Sequence, residues 1–209
     1  MPIIIKNETL KFFVSRYLIN IVRDLVSPYK PKQYIRDIFE GQIVSILGGI
    51  LAGTILASRI ENLQFLPGFF ILLPGFLELQ GCINSTLAAR TGSLVHTKGV
   101  EKADGLKDYY VKVNLFSSFI LSVVSSLILG IFILFLTLLI LKKLVLQLVL
   151  VSFLSSLIVS LILIPLTLAS SVWLYKRGYD PDNIMGAFLT SVTDIVSVIV
   201  LILVIKTIF

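Results

Sequence analysis

The chain has one cysteine, Cys82, and one histidine, His96, among its 209 residues. A single thiol excludes an intrachain disulfide, and a lone imidazole without thiol partners excludes a zinc or copper centre built of soft ligands. Charge is scarce too: Asp, Glu, Lys and Arg make up 14% of the chain, against 56% hydrophobic residues and a mean hydropathy of +0.99. That leaves too little polar sequence for a soluble nucleotide-binding or sensor domain. There is no nucleophile–base pair and no phosphate-binding loop, so the sequence predicts neither an enzyme nor a resident cofactor. Met1-Pro2-Ile3-Ile4-Ile5-Lys6 also lacks the basic start and long apolar core of a removable signal peptide.

What the chain has in abundance is apolar runs of about twenty residues, the length that crosses a bilayer as a helix. The expected fold class is an all-α membrane protein with five transmembrane helices and an N-terminal amphipathic helix. The spans fall at about 38–57, 65–94, 113–141, 144–175 and from Ile184 almost to the C-terminus. Ahead of them, Leu10, Phe13, Val14, Tyr17, Leu18, Ile21, Val22 and Leu25 recur at intervals of three and four. This amphipathic helix either lies in the membrane interface or packs beneath a pore, and Pro28 and Pro31 end it in a short linker. The chain thus divides into 1–37, a cytoplasmic helix and linker, and 38–209, the membrane domain.

The formal charge of +6 does not point to nucleic acid, because the basic residues flank hydrophobic spans, where they orient a protein and meet anionic headgroups. Lys6, Lys11, Arg16, Arg23, Lys30, Lys32 and Arg36 precede the first span, and Arg90, Lys98, Lys102, Lys107 and Lys112 lie between the second and third. Lys176 and Arg177 lie between the fourth and fifth, while the opposite side receives Arg59, Lys142, Lys143 and Lys206. That asymmetry predicts a multi-pass cell-membrane protein with its N-terminus cytoplasmic and its C-terminus outside.

Three features vary the pattern. Gly48, Gly49 and Gly53 give the first span a small face that lets another helix come close, with Gly49 and Gly53 in GxxxG spacing. Pro67, Pro74 and Gly75 interrupt the second span, and Glu78, Gln80, Asn84, Ser85, Thr86 and Arg90 follow, so it is no plain lipid-facing helix. The third and fourth spans, rich in Leu, Ile, Val and Ser, read as scaffold; Pro165 is placed to kink the fourth, and Trp173 and Tyr175 read as interfacial anchors.

The most informative residue is Asp194, the one carboxylate in the fifth span. Asp180-Pro181-Asp182-Asn183 marks the start of that helix. Ten residues beyond Ile184, at about 1.5 Å each, put Asp194 roughly 15 Å deep in a hydrocarbon core about 30 Å thick. A carboxylate there costs about 2.5–3.5 kcal/mol, so it faces a bundle interior or a water-filled path. Gly186, Thr190, Asp194 and Ser197 share its face, with Ala187, Ser191 and Thr193 beside them. The alternative is a protonated acid hydrogen-bonded to another helix and serving only packing. Glu78 is the second acid of interest, read as a pore ligand, an outer-mouth residue or half of an ion pair.

The ligands on offer are oxygens: Asp194, Thr190, Glu78, Asn84 and Thr86, with the backbone carbonyls around Gly81 and Gly186. Hard oxygen ligands suit Mg2+ or Ca2+. One carboxylate is too little charge for a divalent ion at mid-membrane, so a twofold dimer that pairs two Asp194 side chains is a physical solution. Mg2+ dehydrates reluctantly, and such a pair would hold it through its waters. Two other readings are an H+- or Na+-coupled cation exchanger and a non-transporting membrane scaffold subunit.

Leu73-Pro74-Gly75-Phe76-Leu77-Glu78-Leu79-Gln80-Gly81-Cys82-Ile83-Asn84-Ser85-Thr86-Leu87-Ala88-Ala89-Arg90 resembles the second-span motif of the MgtE family and of the related animal solute-carrier magnesium transporters. That motif is a proline, then Gly-Asn, then Thr-Leu-Ala-x-Arg. Asp180-Pro181-Asp182-Asn183 with Thr190-Ser191 and Asp194 is similar to the family's last-span motif of an Asp-Pro pair, a Thr-Thr or Thr-Ser pair and a pore aspartate. The resemblance covers about residues 38 to 209. It implies a homodimer whose second and fifth spans enclose one pathway for divalent cations, Mg2+ first, with Asp194 in the place of the selectivity aspartate. Thr190 and the Gly186 backbone would then sit one and two turns before it. Two positions depart from the motif: Cys82 stands where the family has asparagine, and Glu78 where a small residue is usual.

Overall fold

The computed structural model describes residues 31–59, 66–98, 108–177, 179 and 181–208. They form five helices: α1 (Pro31–Ala57), α2 (Phe69–Lys98), α3 (Tyr109–Leu141), α4 (Gln147–Lys176) and α5 (Pro181–Ile208). Each contains a stretch long and apolar enough to cross a membrane, in α1 from Ile38 and in α5 from Ile184. The protein is therefore a multi-pass, all-helical membrane protein, with no strand among the described residues. The compact membrane unit is Glu40–Phe209. Of the preceding unit, Met1–Phe39, only residues 31–39 are described. The expected amphipathic helix lies almost wholly outside the described residues, as does most of the charged segment after Lys98.

Prolines mark where the helices differ from expectation. Pro31, expected in a linker, stands at the start of α1, where its fixed φ and missing N–H suit a first turn. Pro67 lies ahead of α2 in the turn Leu66-Pro67-Gly68-Phe69. There Gly68 has φ +85° and the Phe69 N–H reaches the Leu66 carbonyl at 3.1 Å, a type II pattern with proline and glycine in the favoured places. Pro74 and Pro165 lie inside α2 and α4, yet both helices run through them unbroken, since a proline removes a single ladder bond while neighbouring turns persist.

Between apolar helices in lipid there is little hydrophobic drive, so association relies on close packing and interhelical hydrogen bonds. The α3–α4 seam uses both. Gly130 lets α3 approach so closely that a Cβ there would stand 2.9 Å from the Val149 Cα. Along the same seam Ser118, Ser122 and Ser126 recur at four-residue spacing on α3, and Ser152, Ser156 and Ser160 on α4, all buried. Ser152 donates to the Ser126 carbonyl at 2.7 Å, Ser156 to the Ser122 carbonyl at 3.0 Å and Ser160 to the Ser122 hydroxyl at 2.7 Å. Gln80 of α2 joins this cluster, donating to Ser156 at 3.2 Å and accepting from Ser122 at 3.0 Å.

On the other side of α2 from that cluster runs α5, and α1 leans on α5. A Cβ at Gly48 would sit 2.3 Å from that of Ser191, and Ser191 donates to the Val44 carbonyl at 3.1 Å. The small face of α1 that is used is thus Gly41 and Gly48, whereas Gly49 and Gly53 have nothing within 4 Å. The GxxxG pair is not a packing motif within this chain, because its phase on α1 points away from α5.

Candidate functional site

Helical phase sorts α2 into two faces. Pro74, Glu78, Cys82 and Thr86 recur every four residues, with Leu77, Gly81 and Ser85 alongside; all seven line one open cavity of about 500 Å3, and Thr190 and Asp194 of α5 close it. The opposite face, with Leu72, Phe76, Gln80, Ile83, Asn84, Leu87 and Thr91, is buried in the bundle. The antiparallel path puts both acids at similar depth. Asp194 lies ten residues past Ile184, and Glu78 nine residues past Phe69 at the opposite end of α2, so each is about 14–15 Å from its helix entry.

The cavity holds two carboxylates and little that competes for them. Cys82 is exposed there, and its thiol donates to Glu78 Oε1 at 3.3 Å. Thr86 and Thr190 each spend their hydroxyl proton on the carbonyl one turn earlier, Cys82 at 2.7 Å and Gly186 at 2.9 Å. Both hydroxyl oxygens keep lone pairs with which to accept or to ligate. Gly81 has no atom within 4 Å of where a Cβ would stand, which widens the space beside Glu78.

Five residues singled out from sequence, Asp194, Glu78, Gly81, Thr86 and Thr190, therefore meet at one cavity. Asn84 does not join them. It is 1% exposed; its amide donates to the Gln80 carbonyl at 2.8 Å, and its oxygen accepts from Thr167 of α4 at 3.3 Å. The reason is phase: Asn84 follows Gln80 by four residues and so falls on the core face. Gly186 stands one turn before Thr190, exposed and outside the cavity lining. On α5, Ser191 faces α1, while Thr193 and Ser197 are fully buried, so the polar stripe around Asp194 narrows to Thr190 and Asp194. Ser85 enters the cavity without having been singled out as a ligand; its position four residues after Gly81 is the signal for it.

Arg177 stacks 4.6 Å from the Trp173 ring centroid, and His96 meets Tyr175 edge-on with centroids 5.1 Å apart. Amphipathic rings of this kind favour the headgroup level of a bilayer, as expected of Trp173 and Tyr175 from their place at the end of the fourth span. Among the described residues no group of three His, Cys, Asp or Glu side chains is close enough to hold a bare metal ion. The cavity is instead roomy, with its oxygens spread over two helices.

Residues 73–204 match the family model MgtE, described as a divalent cation transporter. Neither a curated protein nor a solved structure matches the chain.

Proposed function

The chain belongs to the MgtE family of divalent cation transporters, and from that premise we propose that it carries divalent cations, Mg2+ first, along the α2–α5 face, with Asp194 as the principal site. The observation that carries the reading is the cavity in which Glu78 and Asp194 share a wall with Thr86 and Thr190 at mid-span. Separated oxygens in a wide space suit a cation that keeps its water shell, as Mg2+ does, bound through water to one or two carboxylates. The cavity opens at the surface of the single chain, and a twofold partner would bring a second Asp194 and close the path. In this homodimer the N-terminus is cytoplasmic and the C-terminus outside, the orientation that the Lys and Arg distribution favours.

A site of this kind stabilises the fold in proportion to ligand. At a concentration one hundred times Kd the gain is about 2.7 kcal/mol, which for a chain of this size raises Tm by roughly 5–10 °C. Thermal melting of the detergent-solubilised protein should therefore rise with Mg2+ and fall back on chelation with EDTA, and Asp194→Asn should abolish the rise. A Tm indifferent to Mg2+ in the unsubstituted protein would count against the site.

A further inference from the structure

Between α3 and α4 lies a second recess of about 550 Å3, distinct in its residues from the cation cavity. Its walls include Phe116 and Phe119 from α3 and Leu161 and Pro165 from α4, with Lys112 at one end and Ser160 among the lining. The Ser160 hydroxyl is already given to Ser122 at 2.7 Å, so Lys112 is the one polar group in the lining left to recognise a ligand. Lys112 stands one turn into α3, after Tyr109 and Tyr110, two exposed rings with centroids 6.0 Å apart that suit the headgroup level. From Lys112 to Phe119 is seven residues, about 10 Å along the helix, well within a single leaflet of about 15 Å. The nearest acid in sequence, Asp108, is engaged in capping α3, its carboxylate accepting from the Tyr110 N–H at 2.8 Å. Among the described residues no carboxylate pairs with the Lys112 ammonium.

A cation at the boundary above an apolar slot of leaflet depth is complementary to one molecular class. We propose that the α3–α4 recess binds an anionic phospholipid, with an acyl chain against Phe116, Phe119 and Leu161 and its phosphate on Lys112. A basic residue near the surface contributes about 1 kcal/mol towards an anionic lipid, which corresponds to about fivefold in affinity.

The test is native mass spectrometry of the full chain in detergent, titrated separately with dioleoyl phosphatidylglycerol, dioleoyl phosphatidylcholine and inorganic phosphate. Phosphatidylglycerol should bind about fivefold more tightly than phosphatidylcholine. Lys112→Gln, an exposed change that spares the packing, should bring that ratio to about one, and Leu161→Trp, which fills the slot, should weaken both lipids. Equal binding of the two lipids, a preference that survives Lys112→Gln, or phosphate alone competing off the lipid would overturn the assignment. Efficient self-cross-linking of a Leu161→Cys variant would also overturn it, by giving this face to a second copy of the chain.

Discussion

At the scale of single residues, the α2–α5 cavity is defined by which side of α2 a side chain occupies. Cys82 is on the cavity side, exposed and in contact with Glu78. If cations pass here, a membrane-permeant thiol reagent should block flux in the unsubstituted protein and leave Cys82→Ser, which has no thiol, untouched; equal block of both, or block of neither, would take Cys82 off the path. Asn84 is on the other side, tied to Gln80 and Thr167. Asn84→Ala should lower stability by about 0.5–1.5 kcal/mol, the usual worth of such bonds between helices in a membrane, while Mg2+ affinity stays as it was. A large drop in affinity with unchanged melting would reverse that division of labour. Both residues lie in the second-span motif, one of the two that suggested the family, and only their phase separates them.

At the scale of helices, what was legible in the sequence and what was not follow from the range of the interaction. Span number, length and the start of α5 at Pro181 are local properties, set by apolar run length and by the proline at the helix start, and the structure has them as expected. The second and fifth spans stood out by their polar residues, and Glu78, Thr86, Thr190 and Asp194 of those spans line one cavity, whereas Asn84 and Gly186 do not. What was not legible was the pairing of faces between helices. Ser122, Ser156 and Gln80 form a hydrogen-bonded cluster across three helices, although α3 and α4 read merely as Ser-rich scaffold; the four-residue spacing of the serines was the available signal. Likewise the choice of Gly48 over Gly49 and Gly53 depends on where Ser191 stands, which no run of α1 can report. Gly48→Val should therefore force α1 from α5 and destabilise the protein by about 1–3 kcal/mol, whereas Gly53→Val should be near neutral in the single chain. Thermal melting of the two variants decides it, and equal effects would contradict the observed packing.

At the scale of the whole molecule, the bundle of α2 to α5 keeps its hydrogen-bonded serines and glutamine inside and presents both carboxylates to an open cavity. α3 and α4 carry no acid of their own within their spans and brace α2 through Gln80, which leaves the opposite face of α2 free to meet α5. The serine seam and the acidic cavity are thus two faces of one helix: the first fixes its position, and the second faces the proposed path.

The measurement that bears most directly on this account is Mg2+ uptake into liposomes by the unsubstituted protein and by Asp194→Asn, with thermal melting and cross-linking run in parallel to confirm fold and assembly. A charge-assisted contact is worth about 1.5–3 kcal/mol, so uptake should fall by about ten- to a hundredfold in a variant that still folds and assembles. Uptake by folded Asp194→Asn equal to that of the unsubstituted protein would contradict the proposal that cations cross at this carboxylate.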